Sequence, residues 1–316
     1  MKKLTYLVSA IAAAFSANAY ADISVSGSAG LGYINDATGD NNLQNSAAIS
    51  FAMSTTTSGG LGISASLGLS VSPTAENDAT GTGGQTLTFT TGGSTVAIGD
   101  VTIADTPGSV GGAGVSANTV ESSALSHSVA GGFADDDGQG VLLTTGVGGA
   151  TVTVGHVWST AATNDARVNV TDATADATAF GVSLPIGAWT LSAGTATHND
   201  TAESSGVSVA GAVGGGTLTV GYGSQKTPSS YTNATAAGTA NVMGASYTMA
   251  LDADTSVSIG YQNKKDQDDD KYTRIDASAS RSLGGGASVY IDMRSLTSST
   301  ATQAGTAFGF GTSVSF

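Results

Sequence analysis

Carboxylates are the most numerous ionisable side chains in this chain, and two runs of them have a spacing that could bind a cation. The first run is Asp135, Asp136 and Asp137. The second lies within 266–270, where alternate carboxylates resemble a Ca²⁺-binding pattern. However, Lys271 stands where a helix–loop–helix calcium loop has its glycine, and Ala277 stands where that loop has its last glutamate. Two interpretations stay open, a weak external Ca²⁺ or Mg²⁺ site and a solvated acidic loop.

The other groups that could support catalysis are scattered. His127, His156 and His198 stand singly, without the spacing of a zinc-hydrolase motif, and the chain has no cysteine. No glycine-rich phosphate-binding motif ending in lysine is present, and no Ser/His pair is recognisable as the site of a membrane-barrel enzyme. We therefore predict that the protein is not an enzyme and has no tightly bound cofactor.

The first 21 residues have the pattern of a secretory signal peptide. Lys2 and Lys3 precede an apolar stretch over 4–15, and Ala19-Tyr20-Ala21 supplies a small-x-small cleavage pattern. We expect cleavage before Asp22, which leaves one domain over 22–316. No later segment has the 18 consecutive apolar residues of a membrane-spanning helix.

The composition is unusual for a soluble domain. Charged residues make up 11% of the chain, against about 25% in ordinary soluble domains. All 24 acidic residues but only eight of the ten basic residues follow the leader, which gives the mature chain a formal charge of −16. This balance argues against a nucleic-acid partner and favours an electrostatic field that attracts cations.

The elements that must position these charges are predicted to be β-strands. Apolar and small polar residues alternate with a period of two, as in Leu61–Val71, whereas no segment has convincing helical spacing. Seven short turns are predicted at 58–60, 92–93, 147–149, 185–187, 214–216, 252–254 and 284–286. Longer polar segments alternate with them at 35–44, 73–85, 101–139, 159–177, 198–204, 225–238, 262–271 and 297–304.

This alternation predicts an all-β fold, a 16-stranded antiparallel transmembrane β-barrel with short periplasmic turns and long external loops. Seven hairpins supply 14 strands, and one strand at each end completes the count. Sixteen strands are enough to enclose an aqueous channel. The 101–139 segment is too long for an ordinary loop, and we expect it to fold inward and narrow the pore.

Strand parity predicts which charges face the lumen. Charge on a lipid-facing surface is costly, so the inner wall should carry Arg274, Asp276, Asp292 and Arg294. We expect the two carboxylates to neutralise the two arginines; a direct role in selectivity and a purely structural role stay open. The predicted constriction loop contains or adjoins the acidic residues Asp100, Asp105, Glu121, Asp135, Asp136 and Asp137.

The chain resembles the general bacterial porins, and more closely their alphaproteobacterial, non-enteric branch. The resemblance is carried by the segments Ile23–Gly30, Ser50–Gly68 and Thr88–Asp100, and by a last strand that ends in Phe316. It implies a homotrimer of 16-stranded barrels, each narrowed by its third loop, and makes Phe316 the signal read by the outer-membrane assembly machinery. The chain departs from enteric relatives in having no basic cluster on strands two and three.

These patterns together predict a function in the outer membrane of a Gram-negative bacterium. We expect a passive, water-filled and cation-selective channel for ions and small hydrophilic solutes, with outer-membrane lipid and lipopolysaccharide as neighbours. The alternative is a secreted β-rich adhesin or surface-layer protein whose strands stack rather than close. A stacked solenoid should show a fixed short repeat, which this sequence lacks.

Overall fold

All regular structure in the described part of the protein is β-strand. The computed structural model describes residues 22–35, 41–74, 77–82, 86–102, 137–158, 177–198, 202–227, 238–265, 269–299 and 304–316. The predicted signal peptide therefore lies outside the described residues. No helix among these residues is long and apolar enough to cross a membrane.

The strands follow one another along the chain, separated by short and long connections in alternation. Their bounds are β1 (Asp22–Asn35), β2 (Asn41–Thr56), β3 (Gly62–Thr74), β4 (Asn77–Thr82), β5 (Thr86–Thr91), β6 (Ser94–Thr102), β7 (Asp137–Val147), β8 (Ala150–Val157), β9 (Ala177–Ile186), β10 (Trp189–His198), β11 (Ala202–Val213), β12 (Gly216–Thr227), β13 (Gly238–Ala250), β14 (Thr255–Lys265), β15 (Lys271–Gly284), β16 (Ala287–Ser298) and β17 (Gly305–Ser315).

The strands form one closed antiparallel barrel. Sequential neighbours pair around the sheet, and β17 pairs with β1 from Ser28↔Ser315 to Asn35↔Phe308. Strands β4 and β5 pair with different parts of β3, so the two segments together occupy one barrel position. The predicted 16-stranded antiparallel barrel is confirmed, and its closure contradicts the alternative of stacked, open strands.

Each predicted short turn closes a hairpin, and all seven turns lie at the same end of the barrel, here called the turn end. The opposite end is the loop end. In the β7–β8 turn, Gly148 and Gly149 have φ values of 60° and 87°. Glycine adopts this left-handed region without steric cost, and consecutive positive φ values are what a tight two-residue hairpin requires.

The period-two pattern separates an apolar outer surface from a small and polar inner surface. On β15, Ile275 is 44% exposed on the outside, while its neighbours Arg274 and Asp276 are buried on the inside. In a soluble protein such an outward apolar surface would be costly. On a membrane barrel this surface contacts lipid, and the alternation is the expected arrangement.

The strands extend further toward the loop end than the sequence predicted. The predicted 73–85 connection contains β4, β6 continues to Thr102, and β7 begins at Asp137. Similarly, β14 continues to Lys265 inside the predicted 262–271 connection. The predicted boundaries were wrong here because apolar alternation stops where lipid contact stops, whereas the backbone hydrogen-bonded ladder continues between polar residues.

Candidate functional site

Charged side chains on the inner surface are concentrated on three adjacent strands. Apart from Asp22 at the turn end, the inward-facing charges among the described side chains are Lys264, Arg274, Asp276, Asp292 and Arg294 on β14, β15 and β16. The register places these residues at neighbouring positions of one patch, with Asp276 directly opposite Arg294. We call this patch the wall cluster.

Asp276 is the centre of the wall cluster. Arg274 lies two residues before it on the same face of β15, and its Nε donates to Asp276 Oδ2 at 2.6 Å. Arg294 reaches across from β16, and its Nε donates to Asp276 Oδ1 at 2.7 Å. Asp276 is 2% exposed, Arg274 8% and Arg294 7%. One buried carboxylate therefore holds two guanidinium groups, which fixes the relative positions of β15 and β16.

Asp292 does not share in this pairing. It is 3% exposed, and neither carboxylate oxygen has a hydrogen-bond partner among the described residues. Its register partners are Ser278 on β15 and Gly309 on β17. Both carboxylates were expected to neutralise the two arginines, but the hydrogen-bonded pairing is made by Asp276 alone among the described residues. Asp276 accepts the hydrogen bonds of both arginines because it lies opposite Arg294 and on the same face as Arg274.

The inner surface toward the turn end is lined by paired hydroxyl groups. Ser288 and Ser313 are joined at 2.7 Å, and Ser256 and Ser280 at 2.9 Å. Further along the wall, Thr248 and Ser258 approach to 2.8 Å. Small hydroxyls that satisfy one another give a neutral, wettable wall. Within the described residues, no group of three or more His, Asp or Glu side chains could hold a metal ion.

Only some of the predicted constriction residues lie in the part of the chain that the structure describes. Asp100 lies in β6, on the same parity as Ile98, which is exposed on the outer surface. Asp100, which was expected in or beside the inward loop, therefore lies in a strand and faces outward, with the parity of Ile98. Asp137 begins β7. Asp105, Glu121, Asp135 and Asp136 lie outside the described residues, as do Asp266 and Asp268 of the second acidic run.

Lys264 is a member of the wall cluster that the sequence analysis missed. Its ammonium lies 5.8 Å from the centre of the Tyr272 ring, close enough for a cation–π contact. The sequence analysis placed residue 264 in a connection between strands. Alternation assigns inward and outward positions only within a strand, so no direction was predicted for this side chain. Extending the alternation upward from Tyr261 and Gln262 would have shown that Lys264 faces inward.

Phe316 completes the closing seam of the barrel. Its backbone N–H donates to the Gly27 carbonyl at 3.0 Å, and the Gly27 N–H donates to the Phe316 carbonyl at 2.8 Å. The Phe316 ring lies over Gly27, where an added Cβ would collide with ring carbons. The glycine thus provides the space that the terminal aromatic ring occupies on the outer surface.

Comparison with known proteins identifies the relatives of this barrel. A family model described as Gram-negative porin matches residues 7–301. No curated protein matches the chain.

Three solved structures have a similar fold. An engineered variant of the Rhodopseudomonas blastica porin is 16% identical, with a TM-score of 0.69 over 93% of this chain and 100% of that chain. An anion-selective porin from Comamonas acidovorans is 14% identical, with a TM-score of 0.71 over 94% and 100%. A loop-deletion mutant of OmpT, an outer-membrane protein of Vibrio cholerae, is 12% identical, with a TM-score of 0.72 over 94% and 99%.

Proposed function

The chain belongs to the Gram-negative porin family, and we propose that this outer-membrane porin is a passive, cation-selective channel for ions and small hydrophilic solutes. The barrel crosses the outer membrane many times with its strands. The observation that carries the proposal is the contrast between the two surfaces, an apolar exterior and an interior of hydroxyls and paired charges. Such an interior can hold water, and a 16-stranded barrel is wide enough for an aqueous path.

The two arginines of the wall cluster contribute little positive charge to the pore. Arg274 and Arg294 share Asp276 and are nearly inaccessible, so they are unable to attract anions from the lumen as free surface cations would. The fold alone does not imply cation selectivity, because the similar Comamonas barrel is anion-selective. The excess of acidic residues in this chain supports a cation-attracting field.

Selectivity is tested by the zero-current potential of the protein in a planar bilayer with a tenfold KCl gradient. If the channel prefers cations, the zero-current potential should have the sign expected for K⁺ diffusing down its gradient. Its size should reach about 59 mV for ideal selectivity. It should weaken at high salt, because the screening length falls to about 3 Å at 1 M. Changing Asp105→Asn and Glu121→Gln together should lower the potential if the 101–139 segment lines the constriction.

The matched control changes Asp172→Asn and Asp176→Asn, which removes the same charge from a different connection. External acids are screened at moderate salt, so this pair should lower the potential less. A zero-current potential of the native protein with the sign expected for Cl⁻ diffusion would contradict cation selectivity. An unchanged potential in the Asp105/Glu121 variant would assign cation selectivity to other acidic residues.

The proposed assembly follows from family membership. We expect removal of residues 1–21 on secretion and a homotrimer in which each barrel keeps its own pore. The partners are outer-membrane lipid, lipopolysaccharide, cations and small hydrophilic solutes. A weak Ca²⁺ or Mg²⁺ site at the acidic connections stays a proposal; Asp269 and Asp270 are engaged there by Lys265 and Ser299.

A further inference from the structure

The two carboxylates of the wall cluster differ in what they do for the barrel. Asp276 accepts a hydrogen bond from each arginine of the cluster. Asp292 accepts no hydrogen bond from the described residues, and no ion pair among them includes it. Burying a charge without a hydrogen-bonded partner costs free energy, so Asp292 lowers the stability of the barrel instead of raising it. Residues that lower stability without a compensating contact are expected at functional positions.

The inner surface around Asp292 offers little to compensate its charge. The residues directly opposite it are Ser278 on β15 and Gly309 on β17. The nearest residues on the same face of β16 are Tyr290 and Arg294. Of these four neighbours only Arg294 is charged, and its Nε donates to the other carboxylate of the cluster at 2.7 Å. The charge of Asp292 is therefore not taken up by a contact within the described wall.

Asp292 lies near the middle of the barrel wall. Strand β16 runs from Ala287 at the turn end to Ser298 at the loop end, so Asp292 is about 17 Å from one strand end and about 20 Å from the other. Its outward neighbours Ile291 and Met293 are exposed apolar residues, which puts this level within the lipid-facing band. Because lipid outside the wall has a low dielectric constant, the field of a charge at this level passes mainly into the aqueous lumen.

The remaining charges of the wall cluster make Asp292 important for the sign of that field. The cluster has three cationic side chains, Lys264, Arg274 and Arg294, and two carboxylates. Its formal charge is therefore +1, and it would be +2 without Asp292. A positively charged wall repels K⁺ and attracts Cl⁻. Asp292 thus halves the charge that would otherwise act against the passage of cations.

We infer that Asp292 is a selectivity-determining residue of the channel wall, which raises the permeability ratio of K⁺ to Cl⁻ by offsetting the cations of the wall cluster. Both of its carboxylate oxygens are covered, so it acts through its field and not by contact with the passing ion. Asp276 has the structural role and Asp292 the electrostatic one. The inference rests on the proposed function in requiring that the lumen conducts ions, but it does not depend on the sign of the native selectivity.

The test is the zero-current potential of Asp292→Asn in a planar bilayer with a tenfold KCl gradient. A unit charge about 8 Å away in water changes the local concentration of a monovalent ion about twofold, in opposite directions for K⁺ and Cl⁻. The permeability ratio should therefore fall about fourfold at low salt, and the difference should disappear at 1 M, where the screening length is about 3 Å. Asp292→Glu, which keeps the charge, should retain the native ratio. Asp254→Asn, which removes the same charge from an exposed turn, should leave the ratio unchanged.

The urea midpoint for unfolding separates this electrostatic role from a structural one. The inference expects the midpoint of Asp292→Asn to equal or exceed the native value, because a buried charge without a hydrogen-bonded partner is removed. An unchanged permeability ratio in Asp292→Asn, an equal fall in Asp254→Asn, or failure of Asp292→Asn to fold would overturn the inference. A native potential with the sign expected for Cl⁻ would contradict the proposed cation selectivity alone, since a further shift toward Cl⁻ in Asp292→Asn would still support the role of Asp292.

Discussion

Replacing Asp276 with asparagine is expected to destabilise the barrel by about 3–5 kcal/mol, the cost of breaking a buried charge pair while its partners stay buried. Asp276 accepts hydrogen bonds from both Arg274 and Arg294, and all three side chains are nearly inaccessible. Asparagine keeps the shape but removes the charge, so two guanidinium groups lose their shared carboxylate. The measurement is the urea midpoint for unfolding of the protein in detergent micelles.

Asp292→Asn provides the matched control on the adjacent strand. Asp292 is similarly buried, but its carboxylate makes no hydrogen bond within the described part of the chain. Removing a buried charge without a hydrogen-bonded partner should leave stability unchanged or raise it. Equal destabilisation by the two substitutions would contradict the assignment of Asp276 as the carboxylate that holds Arg274 and Arg294.

Deleting Phe316 is expected to reduce the yield of folded oligomer at least tenfold. The deletion removes two backbone hydrogen bonds to Gly27 and the ring that covers it, all at the seam where β17 meets β1. An unpaired seam leaves exposed strand edges, and the hydrocarbon core offers no water to satisfy them. Family resemblance adds a kinetic reason, since the terminal aromatic is expected to be the signal for assembly. The measurement is the folded fraction by heat-modifiable gel mobility after outer-membrane fractionation.

Phe310→Ala is the control for loss of an aromatic ring from the same strand. Phe310 is exposed on the outer surface and its ring lies 5.5 Å from that of Tyr33, but it is distant from the chain terminus. This substitution should cost far less yield than the deletion. Normal oligomer yield after deletion of Phe316 would contradict its proposed role in barrel closure and assembly.

The barrel could be predicted from sequence because both of its determinants are local. Alternation identifies a strand with one lipid-facing side, and glycine-rich turns mark where the chain reverses direction. The number of strands and the side chains that face lipid therefore follow without knowledge of distant contacts. The inward positions of Arg274 and Arg294 needed only parity. Strand ends were harder to predict, because both faces of a strand become polar beyond the lipid and the alternation disappears. Lys264 and Thr102 were therefore placed in connections although they belong to strands.

The pairing within the wall cluster could not be predicted from parity alone. Parity places Asp276 and Asp292 on the same wall, yet only the register shows that Asp276 is opposite Arg294, whereas Asp292 is opposite Ser278. Register depends on the length of the hairpin turn and on a register shift between Ser282 and Gly284. A single-residue change there exchanges partners without altering the alternation that sequence reasoning reads.

Single-channel conductance in a planar bilayer tests most directly the proposal of a water-filled pore narrowed by the 101–139 segment. The native protein should give discrete current steps that are linear in voltage and rise with bulk KCl conductivity. Shortening 101–139 should increase the step size more than shortening 159–177 by the same number of residues, because only the first is proposed to narrow the pore. Absence of current steps from folded native protein would contradict the aqueous pore, and equal step sizes in the two shortened variants would contradict the constriction.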